Sequence, residues 1–302
     1  MGKIAFVFAG QGAQAPGMGK EFYESSEAAR KVFEAADAVR PGTSVQCFEG
    51  TPEELQITEN TQPCLFSVEM AIAAALEEAG IKADMTAGFS LGELSALTYS
   101  GVFSLQTGLE LVKQRGRFMQ LAAEKSDTSM AAVIKLTDEQ VIELCSGFNN
   151  IYPVNFNCPG QISCSGDAEE MAAFAEAVKE AGGRAKVLKV NGAFHCPYMS
   201  EAAEAFGKVL ADVEISSPLI PVYADKTAMP YTDDVKDTLA SQIDNPVRWE
   251  ALIRNMIKDG VDTFVEIGPG KTLTGLIKRI SSDVRLFNVS VPEELEKFTA
   301  EV

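Results

Sequence analysis

Gly88-Phe89-Ser90-Leu91-Gly92 constrains this chain more than any other stretch. It matches G-x-S-x-G, a turn that passes from a strand directly into a helix with a serine at its apex. Met85-Thr86-Ala87 reads as the end of a buried strand, and Glu93-Leu94-Ser95-Ala96-Leu97 reads as the start of a helix. Glycines at both ends let the backbone strain and let neighbouring chain come close. The helix's first turn leaves N–H groups free, such as that of Leu91, and those donors suit an anion formed beside Ser90. The motif alone fits an ordinary glycine turn equally well.

A serine hydroxyl becomes a nucleophile only when a neighbour removes its proton. The chain has one histidine, His195, in Asn191-Gly192-Ala193-Phe194-His195-Cys196-Pro197. A lone histidine is more often structural. This one follows an apolar strand in a loop, where functional side chains concentrate. The order serine, then histidine, is also that of α/β hydrolases. Together the two residues point to nucleophilic catalysis.

Lys3–Ala9 is an apolar run of strand length. Residues 20–39 carry apolar side chains at helical spacing and stop at Pro41-Gly42. A second helix is expected from near Pro63 to Gly80, and another over Leu105–Ala123. Short apolar strands between amphipathic helices imply a parallel sheet covered on both faces. From Met130 the pattern changes. Strand Met130–Leu136, helix Asp138–Cys145, strands Ile151–Asn157 and Gln161–Ser165, helix Glu169–Ala181 and strand Ala185–Val190 spell βαββαβ, a ferredoxin-like unit. The expected fold is therefore an α/β body, 1–125 and 194–302, with a small subdomain inserted at 126–193. Ser90 and His195 would face each other across the cleft, a common place for a ligand pocket. Helix Glu201–Val213, strand Pro221–Ala224, a helix ending at Lys258 and strand Thr263–Ile267 follow. The charged tail from Glu293 reads as a solvated surface helix.

A net charge of −17 argues against nonspecific binding to nucleic acid or an anionic membrane. No apolar run reaches the roughly 18 residues of a membrane span. The start of the chain shows no signal-peptide pattern. Six scattered cysteines without a C-x-x-C pair fit a reducing cytoplasm, and with one histidine they leave no zinc site. Cys196 adjoins His195 but points away from it in an extended segment, so it reads as packing.

Two motifs compete with the serine turn. Gly10-Gln11-Gly12-Ala13-Gln14-Ala15 fits the dinucleotide pattern G-x-G-x-x-A, with Glu34 and Asp37 near the acidic position. Pro16-Gly17 falls where the phosphate-binding helix should run, and an interior proline costs about 3 kcal/mol. Gly268-Pro269-Gly270-Lys271-Thr272 resembles the end of a phosphate loop, but Val265 stands where its first glycine belongs. Arg115 lies on a helix. Exposed, it is merely solvated; turned inward, it is a fork for a carboxylate.

Six segments occur in a telling order: the Gly10 loop, Gly88–Glu93, Gln114-Arg115-Gly116-Arg117-Phe118-Met119-Gln120, Ala193-Phe194-His195, Asn245-Pro246-Val247-Arg248-Trp249 and Glu266-Ile267-Gly268-Pro269-Gly270. Over nearly the whole chain they resemble the family of malonyl-CoA:acyl carrier protein transacylases and the acyltransferase domains of polyketide synthases. The resemblance implies a hydrolase-like body with a ferredoxin-like insert. It implies Ser90 as the acylated nucleophile, His195 as its base, and the N–H groups of Gln11 and Leu91 as the oxyanion hole. Arg115 would pair with the malonyl carboxylate, and the Gln242 carbonyl would orient the histidine in place of a triad acid. Phe194 matches the malonyl-type signature. Phe89 departs from the family, most members of which have histidine there.

The implied reaction is ping-pong malonyl transfer from malonyl-CoA to the phosphopantetheine thiol of holo-acyl carrier protein in fatty acid synthesis, with no permanently bound cofactor and no metal. A cytoplasmic monomer is expected. The alternatives are an acyltransferase of a polyketide pathway, a serine thioesterase or hydrolase, and a dinucleotide-binding oxidoreductase built on the Gly10 loop. Carrier proteins are acidic, so docking needs a local basic patch; Lys186, Lys189, Lys271, Lys278 and Arg279 are candidates.

Overall fold

A computed structural model describes residues 2–188, 190 and 192–302. Its larger sheet has five parallel strands: β1 (Lys3–Phe8), β2 (Met85–Gly88), β7 (Val222–Tyr223), β8 (Val261–Ile267) and β9 (Arg285–Val289). Their spatial order is β7-β2-β1-β8-β9. Strand β1 is apolar on both faces because both are covered. Phe6 and Phe8 pack into one core with helices Glu27–Val39, Thr58–Glu78, Gly92–Tyr99 and Leu105–Ala123. Ala5 and Val7 face the other core, with Trp249, Leu252 and Met256 of helix Trp249–Lys258 and Leu273 and Leu276 of helix Thr272–Ile280.

The second sheet comprises β3 (Thr128–Ile134), β4 (Ile151–Cys158), β5 (Gln161–Asp167) and β6 (Arg184–Val187), in the order β4-β5-β3-β6 and wholly antiparallel. Helices Asp138–Ser146 and Ala168–Glu180 cover one face, burying Val141, Met171, Phe174 and Val178 against Ala131, Val133, Ile162 and Cys164. Strand residues alternate between faces, so Ala132, Asn155, Asn157 and Ser163 point the other way, into a cavity beside the larger sheet. The edge strand β4 is not free. Phe156 N–H donates to the Val247 carbonyl at 2.9 Å, and Val247 N–H donates to that of Val154 at 2.8 Å.

Several expected boundaries differ. The helix over 20–39 is two helices, Lys20–Ser25 and Glu27–Val39, because Ser26 adopts extended backbone and its hydroxyl caps the second at Ala29 N–H. The helix expected near Pro63 begins at Thr58, whose N–H is satisfied by Gln120 Oε1 from a distant helix. That tertiary cap is invisible in local sequence. The C-terminal helix Pro292–Glu301 is solvated on one side only; Phe298 is buried against Phe287. Helices Thr43–Glu49, Pro52–Gln56 and Val235–Gln242 and strand β9 were not anticipated. The strand expected over Ala185–Val190 is β6, Arg184–Val187, and Val190 is not part of it; Lys189 and the loop position Asn191 lie outside the described residues.

The serine turn depends on absent side chains. A Cβ on Gly88 would lie 1.9 Å from the Gly92 carbonyl carbon, and one on Gly92 would lie 2.3 Å from the Phe8 carbonyl oxygen. Gly88→Ala should cost about 3 kcal/mol, the upper range for overpacking, in urea unfolding. Gly275→Ala meets open space at an exposed position of helix Thr272–Ile280, where the change should stabilise by about 0.5–1 kcal/mol. Similar effects of the two changes would contradict this packing.

Candidate active site

Strand β2 ends at Gly88, and the chain turns sharply into helix Gly92–Tyr99. Ser90 sits at the turn with φ 55°, in left-handed backbone that a non-glycine residue rarely adopts. His195 is also left-handed, with φ 61°. The smaller sheet holds its loop: Ala193 N–H donates to Thr128 Oγ1 at 3.0 Å and Ser165 Oγ–H donates to the Phe194 carbonyl at 3.0 Å. These contacts carry His195 Nε2 to 2.7 Å from Ser90 Oγ.

The tautomer follows from the other ring nitrogen. Nδ1 lies 2.9 Å from the Gln242 carbonyl oxygen, which can only accept. The proton is therefore on Nδ1, and Nε2 keeps a lone pair facing the serine hydroxyl. Burial, reinforced by the positive charge of Arg115, lowers the His195 pKa to about 4. The imidazole is neutral at rest.

Arg115 is wholly buried. Its Nη1 donates to Gln62 Oε1 at 2.8 Å, and its Nη2 donates to Gln242 Oε1 at 2.8 Å and to Ser90 Oγ at 3.3 Å. Nε has no partner. Burial lowers its pKa to about 10, which leaves it cationic at neutral pH. Of the two readings of Arg115, solvated or inward, the structure shows the inward one.

Gln11 follows β1 in a turn beside Ser90, and its side chain donates to Thr58 Oγ1. Neither its N–H nor that of Leu91 donates to another group among the described residues. A small cavity of about 80 Å³ is lined by Gln11, Ser90, His195, Phe194, Met119 and Phe89. A larger one of about 360 Å³ shares Gln11, Phe89 and Asn155 with it and runs between the two sheets. Phe89 lies in the wall of both, its ring edge-on to Trp249 at 5.4 Å.

Comparison with known proteins gives the family. The model of the acyl transferase domain matches residues 5–289. The chain belongs to the acyl transferase family. It is 41% identical to the malonyl CoA-acyl carrier protein transacylase of Bacillus subtilis (strain 168), over 98% of this chain and 96% of the relative. It is 38% identical to that of Escherichia coli (strain K12), over 93% of each. The crystal structure of the transacylase from Clostridium perfringens superposes with TM-score 0.95 at 39% identity, covering 99% of this chain and 96% of the other. A malonyl-transacylase solved in complex with its type II PKS acyl-carrier protein superposes with TM-score 0.96 at 33% identity, covering 99% of this chain and all of the other.

The rival motifs have structural uses in this acyl transferase. After the Gly10 loop no helix starts before Lys20. The helix N-terminus beyond Gly268–Lys271 is occupied by the Glu266 carboxylate, which accepts from Leu273 and Thr274 N–H. Among the described residues no group of three His, Cys, Asp or Glu could hold a metal, and no helix is long and apolar enough to cross a membrane. Of the basic candidates, Lys186 and Lys278 are exposed, Lys271 pairs with Glu294 at 3.1 Å, and Arg279 donates to Gln161 and to the Pro159 carbonyl. Lys189 lies outside the described residues.

No separate role for Gln62, Asn155, Glu93, Asp225 or Tyr231 is legible from the sequence alone. Gln62 and Asn155 face the site but belong to no motif. Glu93 adjoins the serine motif, where its acidic side chain in a buried helix was the available signal. Because burial lowers the His195 pKa, the base is lost only when pH falls through that lowered value. The rate of acylation at limiting malonyl-CoA should stay level through the ordinary imidazole range, near about pH 6.5, and drop with a midpoint near about 4. A midpoint at the ordinary value would contradict the buried neutral base.

Proposed function

We propose that this chain transfers malonyl groups from malonyl-CoA to the phosphopantetheine thiol of holo-acyl carrier protein, supplying fatty acid synthesis. The observation that carries the reading is the Ser90–His195 pair at 2.7 Å with the Arg115 guanidinium directly behind it. His195 Nε2 takes the Ser90 proton as Oγ attacks the thioester carbonyl. The N–H groups of Gln11 and Leu91, both without another acceptor among the described residues, receive the oxyanion, and one such donor contributes about 3 kcal/mol in comparable sites. The C–S bond breaks and the imidazolium returns the proton to the departing CoA thiolate. Its low basicity helps here, because a weakly basic imidazole makes a strongly acidic imidazolium. The carrier thiol then gives its proton to His195, attacks the malonyl-serine and restores Ser90.

Arg115 explains the selectivity. Once Ser90 is acylated, its oxygen no longer competes for Nη2, and a carboxylate at the far end of the acyl group meets a buried cation with spare donors. Acetyl offers nothing to that cation. Phe194, in the wall of the small cavity, bounds the acyl group. The reading places residues 126–193 as an inserted subdomain on a body of 1–125 and 194–302. No bound cofactor or metal takes part in these steps. Six free buried thiols support a cytoplasmic protein, and we assign a monomer. The relative solved with a type II PKS carrier favours a polyketide carrier as the second reading.

Incubation with malonyl-CoA should add a malonyl mass to the protein, and Ser90→Ala should abolish it. Arg115→Ala should lower malonyl transfer by about 100-fold, as expected for lost hydrogen bonds to a buried charge, and reduce residual acetyl transfer far less. Equal losses would remove Arg115 as the selector. A side-by-side rate with fatty acid and polyketide carriers decides between the two partners.

A further inference from the structure

Beneath Ser90 lies a fully buried group of acids that the steps above do not use. Glu93 and Asp225 are both wholly buried, as is Gln242, and Tyr231 lies beside them. Asp225 Oδ2 accepts from the Ser90 N–H at 2.6 Å. The Gln242 Nε2 amide donates to the Ser90 carbonyl at 2.6 Å and to Glu93 Oε2 at 2.8 Å. Its contact to Asp225 Oδ2 is longer, at 3.2 Å. Glu93 Oε2 also accepts from Asp225 N–H, and Glu93 Oε1 accepts from Tyr231 O–H. The strained Ser90 residue is thus held by its N–H and by its C=O, from residues far away in the chain.

The same contacts orient Gln242. Its NH₂ must face acceptors, which turns its carbonyl oxygen toward Arg115, a group that only donates. Reversal of that amide would aim N–H groups at a guanidinium. Gln242 also presents its backbone carbonyl to His195. One residue therefore touches the nucleophile, the base's orienter position and the cation, and the acid pair fixes it.

We propose that Asp225, with Glu93, is a positioning residue that holds Ser90 in its left-handed conformation and, through Gln242, sets His195 and Arg115. Charge balance supports the assignment. Burial raises both carboxyls, and the neighbouring Glu93 raises Asp225 further, well above its ordinary value. The negative charge of Glu93 and Asp225 in turn supports the cation of Arg115, the one buried Lys or Arg among the described residues. The inference rests on the transferase reading given above.

The test compares wild type, Asp225→Ala and Asp225→Asn, with kcat expressed per site titrated by the malonyl burst and folding followed by thermal melts. Asparagine keeps an acceptor for Ser90 N–H and offers Glu93 a donor. Asp225→Ala should lower kcat per site by about 100-fold, the scale of a small misplacement of reacting groups, with little change in KM. Asp225→Asn should recover most of it. An Asp225→Ala kcat within about twofold of wild type overturns the proposal, and so does an asparagine variant as impaired as the alanine one. Should the alanine variant fail to fold, Tyr231→Phe removes only the donor to Glu93; a lowered kcat per site supports the proposal, and an unchanged one overturns it. Failure of wild type to acquire a malonyl mass would instead overturn the transferase reading.

Discussion

The hydrogen bond between His195 Nε2 and Ser90 Oγ joins residues 105 positions apart, and both of its ends sit in left-handed backbone. Strained residues persist only where their surroundings over-determine them. Gly88 and Gly92 let the helix approach its own strand, and the acids beneath hold the serine's peptide groups. The smaller sheet holds the histidine loop through Thr128 and Ser165. Distant parts of the chain thus converge on one 2.7 Å contact.

Electrostatics completes the arrangement. The site has a buried cation, a buried acid pair and a buried neutral imidazole. In a low-dielectric interior such charges persist only when partnered. Arg115 has glutamine amides and a serine oxygen at rest, which are weaker partners than a carboxylate. On the proposed reading, an incoming malonyl group improves the environment of an existing charge. That is a reason for a malonyl-selective site to keep an arginine fully buried.

Much of this was legible in the sequence where the signal is local. The serine turn, the βαββαβ order and the helix Leu105–Ala123 rest on short-range periodicity and glycine placement, and the structure shows each. The resemblance to acyltransferases named Gln242, which no spacing rule would select. What stayed hidden depends on tertiary contact. Thr58 starts a helix because Gln120 reaches it, and Phe298 is buried because β9 lies beneath it. Asp225 belongs to no motif, and only the fold brings it under Ser90. Phe89 departs from the family's usual histidine, and its ring has an aromatic partner in Trp249.

On the proposed reading, Ser90 carries the malonyl group between donor and carrier. Acid quenching of the protein with malonyl-CoA, followed by digestion and tandem mass spectrometry, locates the adduct directly. The account predicts a malonyl ester on the peptide containing Ser90, discharged by holo-carrier. An adduct on another residue such as Cys196, or turnover with no adduct, would contradict it.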